Sequence, residues 1–426
     1  MLILIDSSVV DDGDENTWDD ETVVALDYLA TARREGKHSV IANIETLKKI
    51  AQCSRLSQKT RDIYTKLYNR SPQNYKSYPS VVKRYIEIVK PCLEPQVVDS
   101  LGKKIIKVPP GFFNDSKLVQ ETILLCENSD DAILYETIAK VYLIWKKFNA
   151  QIVCDRRGGG GNTISSEYIN IKQAKKCFCL CIVDSDKIAP DGKLGSTASG
   201  LFQSDKIAPD GKLGSTASGL PQSDKIAPDG KLGSTASGLP QSDSTDCIKT
   251  QTFILDCREI ENLIPNSILS ELLSGNLQRL EALKILESIS VVEVRSFLDI
   301  KEGTRMKEII DKKDSKADEF WQLKLALIPN ISARIDNWCQ THWQCSKNTK
   351  KISNNSKKSS KNSKEECECE ISLGFGKNTL SDTLKYLEEK NPHEIAKIVD
   401  RSKHSDWEKI GQVVMDWCIA ESPIRA

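Results

Sequence analysis

Short apolar runs in the middle of the chain stop abruptly at acidic residues. Thr122 to Cys126 ends at Glu127, Cys177 to Val183 at Asp184-Ser185-Asp186, and Thr252 to Leu255 at Asp256, with Arg258, Glu259 and Glu261 close behind. Runs of this length bounded by polar turns predict strands buried on both faces, as in a parallel sheet. After Glu127, the residues Leu134, Ile138, Val141, Tyr142 and Trp145 recur at helical spacing behind a helix start at Ser129 or Asp130. The unit therefore reads strand, acidic turn, amphipathic helix. A further strand at Gln151 to Cys154 leads into Arg156-Arg157-Gly158-Gly159-Gly160-Gly161. Glycines there permit positive φ and expose amides, which suits either a phosphate or a closely approaching backbone. The pattern is α/β, with acids at three strand ends.

The first part of the chain is a separate α/β beginning. Leu2 to Ile5 reads as a strand ending at Asp6, an acidic stretch follows, a helix is expected from Thr22 to Arg34 with its stop at Glu35-Gly36-Lys37, and Ser39 to Ala42 reads as a second strand. A strand ending in Asp at this point resembles the opening of PIN-domain nucleases, but the other acids of that family are not placed, and a structural or partner-binding role is expected. Ser54 to Val89 reads as helical, with Arg61, Tyr64, Lys66, Tyr68, Arg70, Tyr75, Lys76, Tyr78, Lys83, Arg84 and Tyr85 interleaved. Basic and aromatic residues together suit nucleic acid, and equally an ordinary helical surface.

From Pro265 onward the periodicity turns helical, over Ser267 to Leu273, Leu277 to Ser288, Val291 to Leu298, Thr304 to Asp311 and Asp318 to Leu327. This region is expected to buttress the sheet or to form a homodimer surface. Lys301 lies within reach of a phosphate at the acidic edge or on an ordinary surface. Two last helices are expected at Thr379 to Lys390 and Trp407 to Cys418, with Trp407, Val413, Val414 and Trp417 as packing residues and His393 and His404 at the surface.

Between the third and fourth strands, Ser185 to Gln203 recurs at Ser204 to Gln222 and at Ser223 to Gln241, changed only where Phe202 faces Pro221 and Pro240. Each copy carries Pro-Asp-Gly and few large apolar residues, so the tract predicts a mobile, largely unstructured insertion. Later copies repeat Asp186 as Asp205, Asp224 and Asp243, but Gln203, Gln222 and Gln241 stand in the place of Asp184. The acid pair therefore belongs to the first copy alone.

Composition narrows the classes. With 60 basic and 60 acidic residues no global field attracts nucleic acid, so any such contact is local. No basic leader with an apolar core opens the chain and no apolar run reaches membrane-spanning length, so a cytoplasmic protein without membrane contact is expected. Its 14 cysteines are then reduced thiols, and Cys177, Cys179 and Cys181 alternate as packing residues. Cys339, His342, Cys345, Cys367 and Cys369 match no standard zinc finger, so zinc is not expected. Ser346 to Lys364 carries seven lysines and no acid, a basic linker.

Glu127 with Asp131 after the first strand, Gly158 to Gly161 after the second, and Asp184 with Asp186 after the third resemble the Toprim domain of overcoming-lysogenization-defect (OLD) nucleases and related bacterial anti-phage defence proteins. The resemblance covers roughly residues 117–265, and Asn128 departs from the glycine usual in the family. It implies a Toprim-like parallel sheet flanked by helices and a nuclease cutting DNA or RNA with Mg²⁺ or Mn²⁺. Hydrolysis of a phosphodiester needs charge neutralised on the phosphoryl oxygens and an activated nucleophile, and carboxylates hold the hard divalent ions that supply both. The resemblance makes Glu127 a metal ligand or general acid/base, Asp184 and Asp186 metal ligands, and Asp131 and Glu261 their support. No Gly-x-x-x-x-Gly-Lys-Ser/Thr loop occurs, so an ATPase, if required, is a separate defence-system partner. The rival reading is a non-catalytic adaptor or sensor on the same scaffold.

The expected organisation is an N-terminal α/β region over 1–116, the Toprim-like domain over 117–265 with the repeat at 185–241, a helical region over 266–345, the basic linker over 346–366 and a C-terminal helical region over 367–426.

Overall fold

The computed structural model describes residues 1–10, 18–70, 74–204, 248–309, 314–331 and 369–424. It is mixed α/β and holds two largely parallel sheets. The first contains β1 (Leu2–Ile5), β2 (Ser39–Ala42), β3 (Arg84–Ile88), β4 (Gln96–Ser100) and β5 (Lys103–Val108), in the order β2-β1-β3-β5-β4. All pairs are parallel except the β4–β5 hairpin, which closes through Leu101 and Gly102, both at positive φ. Every residue of β1 and β2 is buried, as continuous apolar runs require.

Local chemistry sets the helix ends. Asp19 caps the helix Asp20–Glu35 by accepting the Thr22 amide, and Gly36 at φ 74° ends it. Asp6, at the end of β1, accepts the Ser8 amide and so caps the short turn Ser7–Val9.

The span expected as one helix, Ser54 to Val89, divides into helices Gln58–Arg70 and Asn74–Val81 and then the strand β3. β-branched and aromatic residues beside two parallel partners make Tyr85 to Ile88 central strand rather than helix. Tyr64, Tyr78 and Tyr85 are buried, so these three offer no stacking surface for nucleic acid. Arg84 is buried too, with its guanidinium 4.1 Å above the Trp417 ring.

The second sheet is wholly parallel. It comprises β6 (Thr122–Cys126), β8 (Cys154–Gly158), β9 (Cys179–Val183) and β10 (Thr250–Ile254) in the order β10-β9-β6-β8. The helix Ser129–Trp145 follows β6 and covers one face. On the other face Ile123, Leu125, Ile164, Tyr168, Cys179, Cys181 and Val183 form a second apolar cluster. β7 (Gln151–Ile152) pairs antiparallel with β13 (Ile419–Ala420), and a two-stranded ribbon joins β11 (Gly303–Arg305) to β12 (Glu370–Leu373). The apolar periodicity around 300 and 370 did not announce these short strands.

The C-terminal helix Ser405–Cys418 binds both sheets and so belongs to the same core as the N-terminal region. Asp416 accepts the Lys83 amide at 2.8 Å beside β3, and Thr122 of β6 donates its hydroxyl to the Trp417 carbonyl at 2.6 Å. Gln412 accepts from the Tyr142 hydroxyl at 2.6 Å, and a Cβ at Gly411 would collide with Tyr142, so glycine sets how closely this helix meets Ser129–Trp145.

The first repeat copy contradicts the expectation of an unstructured insertion. Residues 185–204 form the ordered crossover out of β9: Ser185 is buried and donates to the Cys257 carbonyl, Trp321 donates to the Ile188 carbonyl at 2.6 Å, and Ala198 and Leu201 of the helix Ser196–Ser204 join the second apolar cluster. The remaining copies, the basic tract at 346–364, and Cys339, His342, Cys345 and Cys367 lie outside the described residues; Cys369 is buried at the start of β12. Among the described residues no helix is long and apolar enough to cross a membrane.

Two outcomes follow from this packing. Trp417→Ala removes a buried ring and its stacking on Arg84, and is expected to cost about 3–5 kcal/mol in denaturant unfolding. Excising residues 204–241 joins Gln203 to Ser242, the junction already found between copies. With the crossover complete at Ser204, the shortened chain should unfold cooperatively, with stability unchanged or raised by no more than about 2 kcal/mol from loop closure.

Candidate functional site

The parallel register of the second sheet carries acids from adjacent strands to one edge. Cys181 pairs with Leu125 and Ile254 with Val183, so Glu127 follows β6 at nearly the same level as Asp184 after β9. Asp256, after β10, stands apart: it is exposed and pairs with Lys409 at 2.7 Å.

Glu127 is half-buried and receives the Asp184 amide, yet its Oε1 is buried with no hydrogen-bond donor. Burial, and then the nearby Asp186, push its carboxyl up, while the Asp184 amide and Lys301 work the other way. Asp184 is pushed well above the usual carboxylate range, first by burial and then by Glu127, Asp131, Glu261 and Glu259. Asp131 is buried and accepts the Asn128 amide at 2.9 Å, so it does cap the following helix as a helix-start acid would. It also feels the acid group: burial, with Glu127 and Glu261 adding to it, pushes its carboxyl up to about 7.

Asp186 is exposed and held in the left-handed region at φ 51°, where its amide donates to the Arg258 carbonyl at 2.9 Å. Its carboxylate lies against Gly195, where a Cβ would collide with it. A residue inside the duplicated unit therefore makes room for the acid.

Across from these acids stand Glu259, Glu261 and Lys301. Glu261 is buried, and Lys301 Nζ lies 3.6 Å from its Oε1 and 3.9 Å from Glu259 Oε2. Glu259 also accepts the Ile300 amide at 3.2 Å, which fixes the turn bearing Lys301, and its carboxyl is raised by burial and by Glu261. For Lys301, burial disfavours the charge, but Glu261, Glu259, Asp299 and Asp184 outweigh it and hold the ammonium more firmly protonated than usual. A lysine so held is a fixed cation, not a general base.

Two neighbours were not singled out by the sequence. Burial raises the Asp186 carboxyl, and Arg258 and then Lys301 work against that rise; Arg258 pairs with Asp299 at 3.1 Å, and Asp299 also accepts the Glu302 amide at 2.6 Å. An arginine followed by Glu259 and Glu261 just past a strand end was the available signal.

The glycine run plays the second of its two expected parts. Gly158 pairs with Cys126, and the Gly159 and Gly160 amides donate to the Cys126 and Glu127 carbonyls at 2.7 and 2.9 Å. Those two amides are spent on the end of β6 and are not displayed to a phosphate. A Cβ at Gly158 would press on the Ser129 amide and one at Gly159 on Ile164, while Gly160 and Gly161 have φ of 68° and 54°. The run lets backbone approach the acidic turn.

Glu127, Asp131, Asp184, Asp186, Glu261 and Lys301 thus share one electrostatic neighbourhood. Among the described residues, no three side chains of His, Cys, Asp or Glu converge closely enough to cage a metal by themselves. The donor set is nevertheless all carboxylate, with an orphaned Glu127 oxygen, which fits a hard divalent ion that retains much of its water. No family model matches the chain, and no curated protein or solved structure is detectably similar to it.

The raised carboxyls carry a pH dependence. A carboxyl raised by folding favours the fold at low pH and loses that contribution as pH climbs through its folded value. For Asp131 the loss falls between the ordinary carboxylate range and about 7. Asp131→Asn keeps an acceptor for the Asn128 amide and cannot ionise. Without divalent ions, its stability advantage over the wild type should grow by roughly 2 kcal/mol between pH 5 and pH 8, measured by urea melts.

Proposed function

We propose that the chain is a metal-dependent nuclease of the Toprim type, hydrolysing phosphodiesters of DNA or RNA and serving bacterial defence against phage. The observation that carries this reading is the meeting of Glu127, with its unpartnered oxygen, and Asp184 at neighbouring parallel strand ends, where burial raises both carboxyls. Buried carboxylates crowded together are unfavourable unless a cation compensates them. Perturbed acids of this kind cluster at functional sites.

Glu127, Asp184 and Asp186 would hold Mg²⁺ or Mn²⁺, with Asp131 and Glu261 in support. A bound divalent ion supplies charge neutralisation on the phosphoryl oxygens and lowers the pKa of its water. The chain's own part is to orient and to exclude solvent. Burial raises the Glu127 carboxyl above its ordinary range, and Asp131 holds the turn that presents it. Lys301 remains a fixed positive charge beside the acids and opposes the charge of an incoming phosphate. An ATPase gate, if the activity has one, is a separate partner.

A non-catalytic adaptor is favoured by one feature, the ion pairs of Lys301 with Glu259 and Glu261, which neutralise part of the cluster without a metal. Cleavage and metal binding separate the two readings. Supercoiled plasmid, single-stranded DNA and total RNA should be tested with Mg²⁺ and Mn²⁺ for wild type, Glu127→Gln and Asp184→Asn. One substrate is expected to be cut, with a loss of roughly 1,000-fold or more in each variant. Mn²⁺ should also raise the melting temperature of wild type but not of Asp184→Asn. Cleavage that survives both substitutions would move the active site elsewhere, and no cleavage with no metal-induced shift would leave the adaptor.

A further inference from the structure

Lys301 is anchored at its backbone and held only by charge at its tip. Its carbonyl accepts the Gly376 amide at 2.9 Å; just before it, the Ile300 carbonyl accepts the Phe375 amide at 2.8 Å and the Ile300 amide donates to Glu259 at 3.2 Å. Gly303 and Gly374 tighten the same crossing, since a Cβ on either would run into the amide nitrogen of the other. The root of the side chain is therefore set by backbone on both sides.

The ammonium is held differently. It lies 3.6 Å from Glu261 Oε1 and 3.9 Å from Glu259 Oε2, both beyond hydrogen-bond reach. Coulomb attraction alone keeps it there, at the end of a flexible four-carbon stem. The side chain is 36 % exposed, so the tip has water to move into, whereas Glu261 beside it is buried. Arg258, the other nearby cation, is committed by a hydrogen bond to Asp299 at 3.1 Å.

The reach of this one charge is wide. Lys301 favours the ionised forms of Glu127 and Asp186, and Asp184 in turn favours the ammonium. The acids that follow β6, β9 and β10 thus feel the same lysine. Buried carboxylates need a cation, and here the chain supplies one that no hydrogen bond locks in place. A divalent ion drawn to these acids carries twice the charge, and two cations so close repel strongly where the effective dielectric is low.

We propose that Lys301 is a built-in counter-ion of the acidic edge, which competes with a divalent ion for Glu259 and Glu261 and so sets how tightly that ion is held. The proposal rests on the reading of this edge as metal-binding and adds that the lysine weakens the binding. As it gives way, the ammonium moves off both carboxylates while its root keeps it at the edge, where it can face a phosphate.

Calorimetric titration of the full chain with Mn²⁺ at pH 8 tests this without a substrate, counting only the binding that Asp184→Asn abolishes. Lys301→Met should hold Mn²⁺ about tenfold more tightly than wild type, or better, and Lys301→Arg, which keeps the charge, should show no gain. Equal affinity in Lys301→Met and wild type, as for a lysine that serves phosphate alone, overturns the proposal and leaves the nuclease reading standing. Weaker binding in Lys301→Met does the same, making the lysine a prop for the acids. With no such Mn²⁺ binding in any variant, the metal-dependent reading falls and the counter-ion falls with it. Should Lys301→Met fail to fold, the wild type decides: acetylation of Lys301, followed by peptide mass spectrometry against the other lysines, should rise severalfold when Mn²⁺ saturates the protein. A rate that stays level overturns the proposal.

Discussion

Both sheets depend on the C-terminal helix for a shared wall. A parallel sheet needs cover on each face, and the helix Ser405–Cys418 provides it where the two sheets meet. Asp416 takes the Lys83 amide, Trp417 stacks on buried Arg84, and the Trp417 carbonyl accepts from Thr122 at the root of the strand that carries Glu127. A buried arginine and a buried aspartate within one turn of contact would be costly alone. Here each is satisfied by the other's surroundings: the Arg84 charge lowers the Asp416 carboxyl, which burial has raised to about 7.

The acidic edge is governed by the opposite balance. Burial and mutual repulsion raise Glu127, Asp131, Asp184 and Glu259 together, and Lys301 opposes the rise at Glu127 and, with Arg258, at Glu259. The Lys301 charge is placed by backbone: Glu259 holds the Ile300 amide, and Gly376 donates to the Lys301 carbonyl at 2.9 Å. The small ribbon of β11 and β12 thus positions a cation from a region more than a hundred residues beyond the strand that ends in Glu127.

The first copy of the duplicated tract is built into the border of the acidic edge. It lies beside Asp186 and packs Ala198 and Leu201 into the second apolar cluster. Gly195 is the residue on which this rests, since any side chain there would occupy the space of the Asp186 carboxylate.

Much of this was legible in the residues themselves. Continuous apolar runs at Leu2–Ile5, Ser39–Ala42, Thr122–Cys126 and Cys179–Val183 mark strands because nothing else buries such runs in so short a length. Helix Leu277–Ser288 and the acids Glu127, Asp131, Asp184 and Asp186 were equally plain, since periodicity and strand-end placement are local properties. What tertiary structure alone decided was non-local. Arg84 and Tyr85 became central strand because two parallel neighbours and Trp417 enclose them, against a helical reading of their span. Gly159 and Gly160 turned their amides to β6 rather than outward because Gly158 brings the backbones together. The first repeat copy is ordered because Ala198 and Leu201 join an apolar cluster built by distant segments, and Lys301 reached the acids through a ribbon whose strands lie far apart in sequence. Hydrophobic period and strand-end acids are written residue by residue, whereas which backbone approaches which, and which charge is left buried, depends on contacts between distant segments.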